Sequence, residues 1–426
     1  MSSSFGGKAV ALFLVGILVG LAAGYVAGGI GKVSTEELQS MRTELDNLRA
    51  QYQVLSEQIN SLTRKLKIGF IYVGPIGDYG WSYAHEVGRR YLESKFPWIE
   101  TTYVESVAEA DCQRVAEQLV AAGNDLIFTT SFGYMDPTLA AAQAHEGTIF
   151  FHCSGYERAP NMGTYFAEFY QLYYLNGLMA GALSKTGKIG YVGAYPIPEV
   201  IRHIDAFALG VKEVNPQAKV YVRWIFAWYD PTKARQAAEA LISEGVDALA
   251  FTEDSPTVVQ VAEDYTIGGK QVYAFSHYSP MLSYGPNSVV SGQLVHWEKI
   301  YEDIVTKVRL GIYNNTNLEN VDYWWMLKEG AVELGGEFGV PINQKFENEL
   351  KAKFVDDPVL GRISVYDLVM KRLEQMKEET VLFDPFTGPI KDQDGKIRIQ
   401  EASRASRETL WTIDWFVDNI VGSPKP

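Results

Sequence analysis

The sequence predicts an α/β protein of two doubly wound, Rossmann-like lobes, preceded by a transmembrane helix and a coiled-coil stalk. Three observations carry this reading. From Lys67 onward, short apolar runs alternate with amphipathic stretches of helical length, and the alternation breaks and restarts once. An uncharged stretch of 22 residues, Ala9 to Ile30, stands near the N-terminus. Between the two, apolar residues recur at spacings of three and four.

The N-terminal stretch, "AVALFLVGILVGLAAGYVAGGI", is long enough to cross the roughly 30 Å hydrocarbon core. A signal peptide has a shorter apolar core, and a lipid anchor needs a cysteine just after it, whereas the first cysteine here is Cys112. Residues 1–33 are therefore expected to form an uncleaved single-pass anchor, with a removed signal as the alternative. Residues 34–66 follow as a stalk. Leu38, Met41, Leu45, Leu48, Tyr52, Leu55, Ile59, Leu62 and Leu66 form a heptad seam, with Ser34 or Thr35 as its N-cap. Such a seam predicts a homo-oligomer, the alternative being one helix folded back on the body.

Lobe one is expected over 67–165, with strands at Ile68–Val73, Thr101–Val104, Leu126–Thr130 and Ile149–His152. A long aromatic helix from about Glu168 to Ser184 opens lobe two, 166–285. Its strands are expected at Ile189–Val192, Val220–Phe226, Ala248–Phe251 and Val272–Phe275. The remainder, 286–426, reads as a return strand at Val289–Leu294, a helix at Glu298–Leu310 and a tail packed on the lobes.

Ligands of open α/β sheets sit beyond the carboxyl ends of the strands. The first such end, "GPIGDYGWSYAHEVG", is glycine-rich but has neither G-x-G-x-x-G nor Gly-Lys-Ser/Thr, and it carries Asp78, Tyr79 and Trp81. A carboxylate repels phosphate, whereas aromatic faces suit a flat neutral ligand. Further strand ends offer Phe132 and Gly133 in "TTSFGYMDP", Trp228 in "FAWYDP", Asp254 and Ser255 in "TEDSP", and His277 in "FSHY". Trp81 and Trp228 are expected to stack on the ligand. Asp78 and Asp254 are each either helix caps or ligand contacts, and Glu168 either caps the aromatic helix or reaches the cleft. Tyr79, Phe132, Gly133, Ser255 and His277 complete the candidate set.

Net charge is −14, which argues against a nucleic-acid partner for the body. Two cysteines give neither a disulfide framework nor metal spacing, and no metal or cofactor is expected. G-x-S-x-G, H-E-x-x-H and P-loop motifs are missing, so the chain reads as a binder. His85, His152 and His277 remain as acid–base candidates for the competing enzyme reading.

Six stretches in order resemble the basic membrane protein family of solute-binding proteins, the purine-nucleoside-receptor type serving ABC transporters. They are "GPIGDYGWSYAHEVG", "IFTTSFGYMDP", "YYLNGLMAGALSKTGKIGYVGA", "EVIRHIDAFALGVKEVNP", "YDPTKARQAAEALISEGVDALA" and "YWWMLKEGAVELG" with "DPFTGPIKDQDG". The resemblance implies a periplasmic-binding-protein-like fold of type I that closes over a purine and hands it to an ABC permease. Trp81 and Trp228 match the family's two stacking rings. Ser276 or His277 stands where nucleoside binders have an aspartate for the ribose, and Leu294 where they have a lysine. The resemblance therefore implies a free nucleobase such as adenine, with a purine nucleoside, or a surface sensor without a permease, as alternatives.

Overall fold

β1, Leu66–Tyr72, is an apolar run whose last five residues are all buried, as a central parallel strand between two helical layers requires. The computed structural model that contains it describes residues 34–425 apart from 379 and 381. The expected membrane span lies outside them, and among the described residues no helix is long and apolar enough to cross a membrane. Two compact units divide the chain, 1–64 and 65–426.

In the first unit, Thr35–Thr63 is one continuous helix. Ser34 caps it: its Oγ accepts from the Glu37 N–H at 3.1 Å, and Glu37 Oε2 accepts from the Ser34 N–H at 2.9 Å.

The second unit holds two sheets. β1 is followed by β2 (Ile99–Val104), β3 (Leu126–Thr130), β4 (Ile149–Cys153) and β5 (Met162–Ala167), and then by β6 (Lys188–Gly193), β7 (Lys219–Trp224), β8 (Ala248–Thr252), β9 (Tyr273–Tyr278) and β10 (Val289–Val295). β11 (Asp322–Trp325) and β12 (Val332–Leu334) come next, then the hairpins β13 (Phe354–Asp357) with β14 (Gly361–Ser364) and β15 (Ile390–Lys391) with β16 (Ile397–Ile399), and last β17 (Ile420–Val421). Sheet one runs β11-β5-β4-β3-β1-β2, parallel throughout; sheet two runs β12-β10-β9-β8-β6-β7-β17, antiparallel only at β10–β12. In each, the first strand of the lobe lies between the second and third. That reversal of winding direction leaves a crevice at the carboxyl ends of β1 and β3, and of β6 and β8.

The chain passes between the sheets three times: from β5 into the helix Tyr170–Leu183, from β10 into the helix Trp297–Arg309, and from β11 to β12. The helix Trp297–Arg309 packs on Trp81–Lys95 of lobe one. Tyr170–Leu183 is buried almost throughout and lies against Pro198–Val214 so closely that a Cβ on Gly177 would fall 2.0 Å from the Phe207 carbonyl oxygen. At the first passage, Glu168 is fully buried, with Arg202 at 2.7 Å and His203 at 2.9 Å. The guanidinium of Arg202 also lies 4.9 Å from the ring centres of Trp324 and Trp411.

The tail serves both sheets, since β11 extends sheet one and β12 and β17 cap the two edges of sheet two. Before β17 it is tied to Pro198–Val214: the Val417 N–H donates to Asp205 at 3.0 Å, Lys212 pairs with Asp418 at 2.6 Å, and Asn419 Nδ2 donates to the Ala208 carbonyl at 2.8 Å.

Candidate functional site

The two crevices face each other, and a narrow pocket, partly open to solvent, lies between them. Lobe one contributes Val73 after β1, Trp81 at the start of its helix, and Ser131 with Phe132 after β3. Lobe two contributes Glu199 after β6, Trp228 after β7, Asp254 after β8, and Tyr278 at the end of β9. No lysine or arginine lines it.

Trp81 is buried among aromatic rings, with Tyr278 at 5.1 Å and Trp297 at 5.4 Å, and its Nε1 donates to the Thr130 carbonyl at 2.5 Å. Trp228 is less enclosed; its ring lies 5.1 Å from Tyr195, and its carbonyl accepts from the Asp254 N–H at 2.7 Å. Asp254 does not cap the helix Thr257–Ile267. At its start the Ser255 Oγ accepts from the Thr257 N–H at 3.2 Å. Burial pushes the Asp254 carboxyl well above the usual range, and the charges of Asp78, Glu253 and Glu199 push it the same way, against the Trp81 N–H. Burial also raises Glu199, although His203, Arg202 and the Ser154 hydroxyl oppose the shift. The pocket thus has aromatic walls and two buried acids, and an acid that holds its proton offers an O–H donor beside its carbonyl acceptor.

The lobes touch at this site. A Cβ on Gly80 would lie 2.6 Å from the Asp254 Cα, so only glycine lets the two backbones approach this closely. Next to it Tyr79 has φ +63° and places its ring 5.0 Å from that of Tyr284 in lobe two.

Of the expected residues, Trp81, Phe132, Trp228 and Asp254 line the pocket. Asp78 serves the turn: its carboxylate accepts from the N–H groups of Gly80, Ser82 and Tyr83 at 2.8 to 3.0 Å, and burial still raises it to about 6. Tyr79 makes the contact with Tyr284 instead of a pocket wall, and Gly133 packs on the Glu109 carboxylate. Glu168 stands at the start of its helix, where it accepts from the Tyr170 N–H at 2.9 Å, and it is paired with Arg202 and hydrogen-bonded to His203. His277 points away to the Tyr173 hydroxyl, 2.9 Å from Nδ1. Burial lowers His85 and His277 well below the ordinary imidazole range and His152 to about 4, so all three stay neutral near pH 7.

Glu199 and Tyr278 are pocket residues that the sequence reading passed over. The loop after β6 is a strand end like the others, and its "YPIPEV" holds the acid. Tyr278 closes β9 at φ +62°, with its ring beside that of His277, so strand alternation does not announce it.

The family model described as "Bmp: ABC transporter substrate-binding protein PnrA-like" matches residues 65–368. The chain belongs to this family. This PnrA-like chain is accordingly a substrate-binding protein of ABC transport and not an enzyme. It is 38% identical over 359 residues to a purine-binding protein of Brucella abortus, covering 84% of this chain and 93% of that one. A putative ABC transporter glucose-binding protein of Haloferax volcanii is also 38% identical, over 283 residues, covering 66% of this chain and 70% of that one. Among solved structures, an ABC transporter solute-binding protein of Aeropyrum pernix aligns with TM-score 0.60 at 15% identity, covering 81% of this chain and 95% of that chain, which supports the two-lobed fold.

Proposed function

We propose that this PnrA-like protein captures a purine nucleobase, adenine or a close relative, between its lobes and presents it to an ABC permease. One observation carries the reading: two crevices meet in a narrow pocket walled by Trp81 and Trp228, with the acids Asp254 and Glu199 and no cation. A flat base stacks on indole faces and needs polar partners only at its edge. The amidine edge of adenine, an N–H beside a ring nitrogen, complements a protonated acid, which offers an acceptor beside a donor.

The purine-binding relative in Brucella abortus supports this choice, whereas the equally identical glucose-binding relative shows that identity alone does not select the ligand. A hexose carries hydroxyls around its whole rim, and each one buried without a partner costs about 1 to 3 kcal/mol. Besides its tryptophans, the pocket offers the polar side chains of Ser131, Glu199, Asp254 and Tyr278, fewer than the hydroxyls of a hexose. A ribose meets the same difficulty, since Leu294 is buried in β10 and neither Ser276 nor His277 lines the pocket. The stretch Ala9 to Ile30 serves as a membrane anchor in this reading, with the body outside the cell and the helix Thr35–Thr63 as an oligomerising stalk.

Calorimetry with adenine, guanine, hypoxanthine, adenosine and glucose tests the proposal. Adenine is expected to bind with micromolar or tighter affinity, at least about tenfold tighter than adenosine. Heat from glucose or adenosine without heat from any base would overturn it.

A further inference from the structure

We infer that the helix Thr35–Thr63 pairs in parallel and in register with the same helix of a second copy of this chain. The inference rests on the oligomerising stalk proposed above and adds the partner's orientation. Along the helix, Met41 is 57% exposed, Leu48 53%, Tyr52 45% and Leu55 56%. All four are seam residues, so this stretch of the seam is open to solvent.

The charges beside the seam choose the orientation. With Leu38, Leu45 and Tyr52 at heptad position a, Met41, Leu48 and Leu55 fall at d, Glu37 and Glu44 at g, and Arg42 and Arg49 at e. In a parallel, in-register pair each g residue faces the partner's e residue five positions on. Glu37 then meets the partner's Arg42, and Glu44 meets the partner's Arg49. Antiparallel pairing sets g against g and e against e, bringing glutamate to glutamate and arginine to arginine. The ties within one helix leave the parallel arrangement open. Arg49 and Asp46 stand 3.5 Å apart with both side chains largely in water, and the capping box uses only Oε2 of Glu37. Farther along, Gln51 and Gln58 at g and Ser56 and Thr63 at e are uncharged, so orientation is encoded in the first half of the helix. A parallel pair sends both binding bodies off the same end of the stalk.

Two experiments on the full-length chain in detergent test this. Both native cysteines are buried, so Met41→Cys, away from the middle of the helix, introduces an accessible thiol that meets its own copy only in a parallel pair. Oxidation should yield a covalent dimer, whereas Ala50→Cys, on the outer face, should yield little. Reversing the e charges with Arg42→Glu and Arg49→Glu should weaken self-association about tenfold or more, and mixing with a Glu37→Lys, Glu44→Lys chain should restore it. A wild-type chain that is monomeric by sedimentation would sink the oligomerising stalk itself. A wild-type oligomer whose Met41→Cys form fails to cross-link, or that is indifferent to the reversed charges, would overturn the orientation alone.

Discussion

Trp81 and Trp228 line the same pocket but stand in different surroundings, and their replacement should separate two effects. Trp228 is partly exposed, so Trp228→Ala should weaken ligand binding by about 1 to 3 kcal/mol, ten- to a hundredfold, with little change in melting temperature. Trp81 is enclosed by His85, Tyr278 and Trp297 and donates to the Thr130 carbonyl. Trp81→Ala should lose comparable affinity and in addition destabilise the fold by about 3 to 5 kcal/mol in urea denaturation. Asp78 gives a pH signature. Its folded value of about 6 lies above the ordinary 3.8, so its contribution is complete below about 4 and is lost as pH rises through 6. The melting temperature of the wild type relative to Asp78→Asn, which keeps an acceptor for the turn, should therefore fall between pH 4 and pH 7; equal pH dependence in the two would exclude this role.

At the scale of elements, the turn from Gly74 to Gly80 was legible as a site but not in its mechanics. Its spacing excludes a phosphate cradle, yet the reason for Gly80 is the Asp254 backbone in the other lobe, a contact that local sequence does not reveal. Gly80→Ala should hold the lobes apart, lowering affinity at least about tenfold and enlarging the radius of gyration in solution scattering, while each lobe keeps its secondary structure. Most central strands could be read because burial on both faces makes them continuous apolar runs, as in Leu126–Thr130 and Ala248–Thr252. β11, β12 and β17 could not, being two to four residues long and stabilised by the edges they cover. The site was half legible for a related reason. Strand ends announce a cleft, but whether Asp78 caps, Tyr79 bridges or His277 turns inward depends on neighbours far away in sequence.

At the scale of the whole molecule, Glu168, Arg202 and His203 hold the first passage between the lobes to the helix Pro198–Val214. Glu168→Gln leaves Arg202 buried without its carboxylate and should cost about 3 to 5 kcal/mol, measured by urea denaturation. A loss under 1 kcal/mol would show that the ring contacts of Arg202 suffice. The opposite end of the body has a different consequence. β7 is flanked by β6 on one side and by the two-residue β17, Ile420–Val421, on the other. Without β17 the outer side of β7 is a row of open N–H and C=O groups that can pair with any passing strand. That short strand is therefore a cover: its loss would leave every pocket residue in place and still turn β7 into a seam for edge-to-edge aggregation.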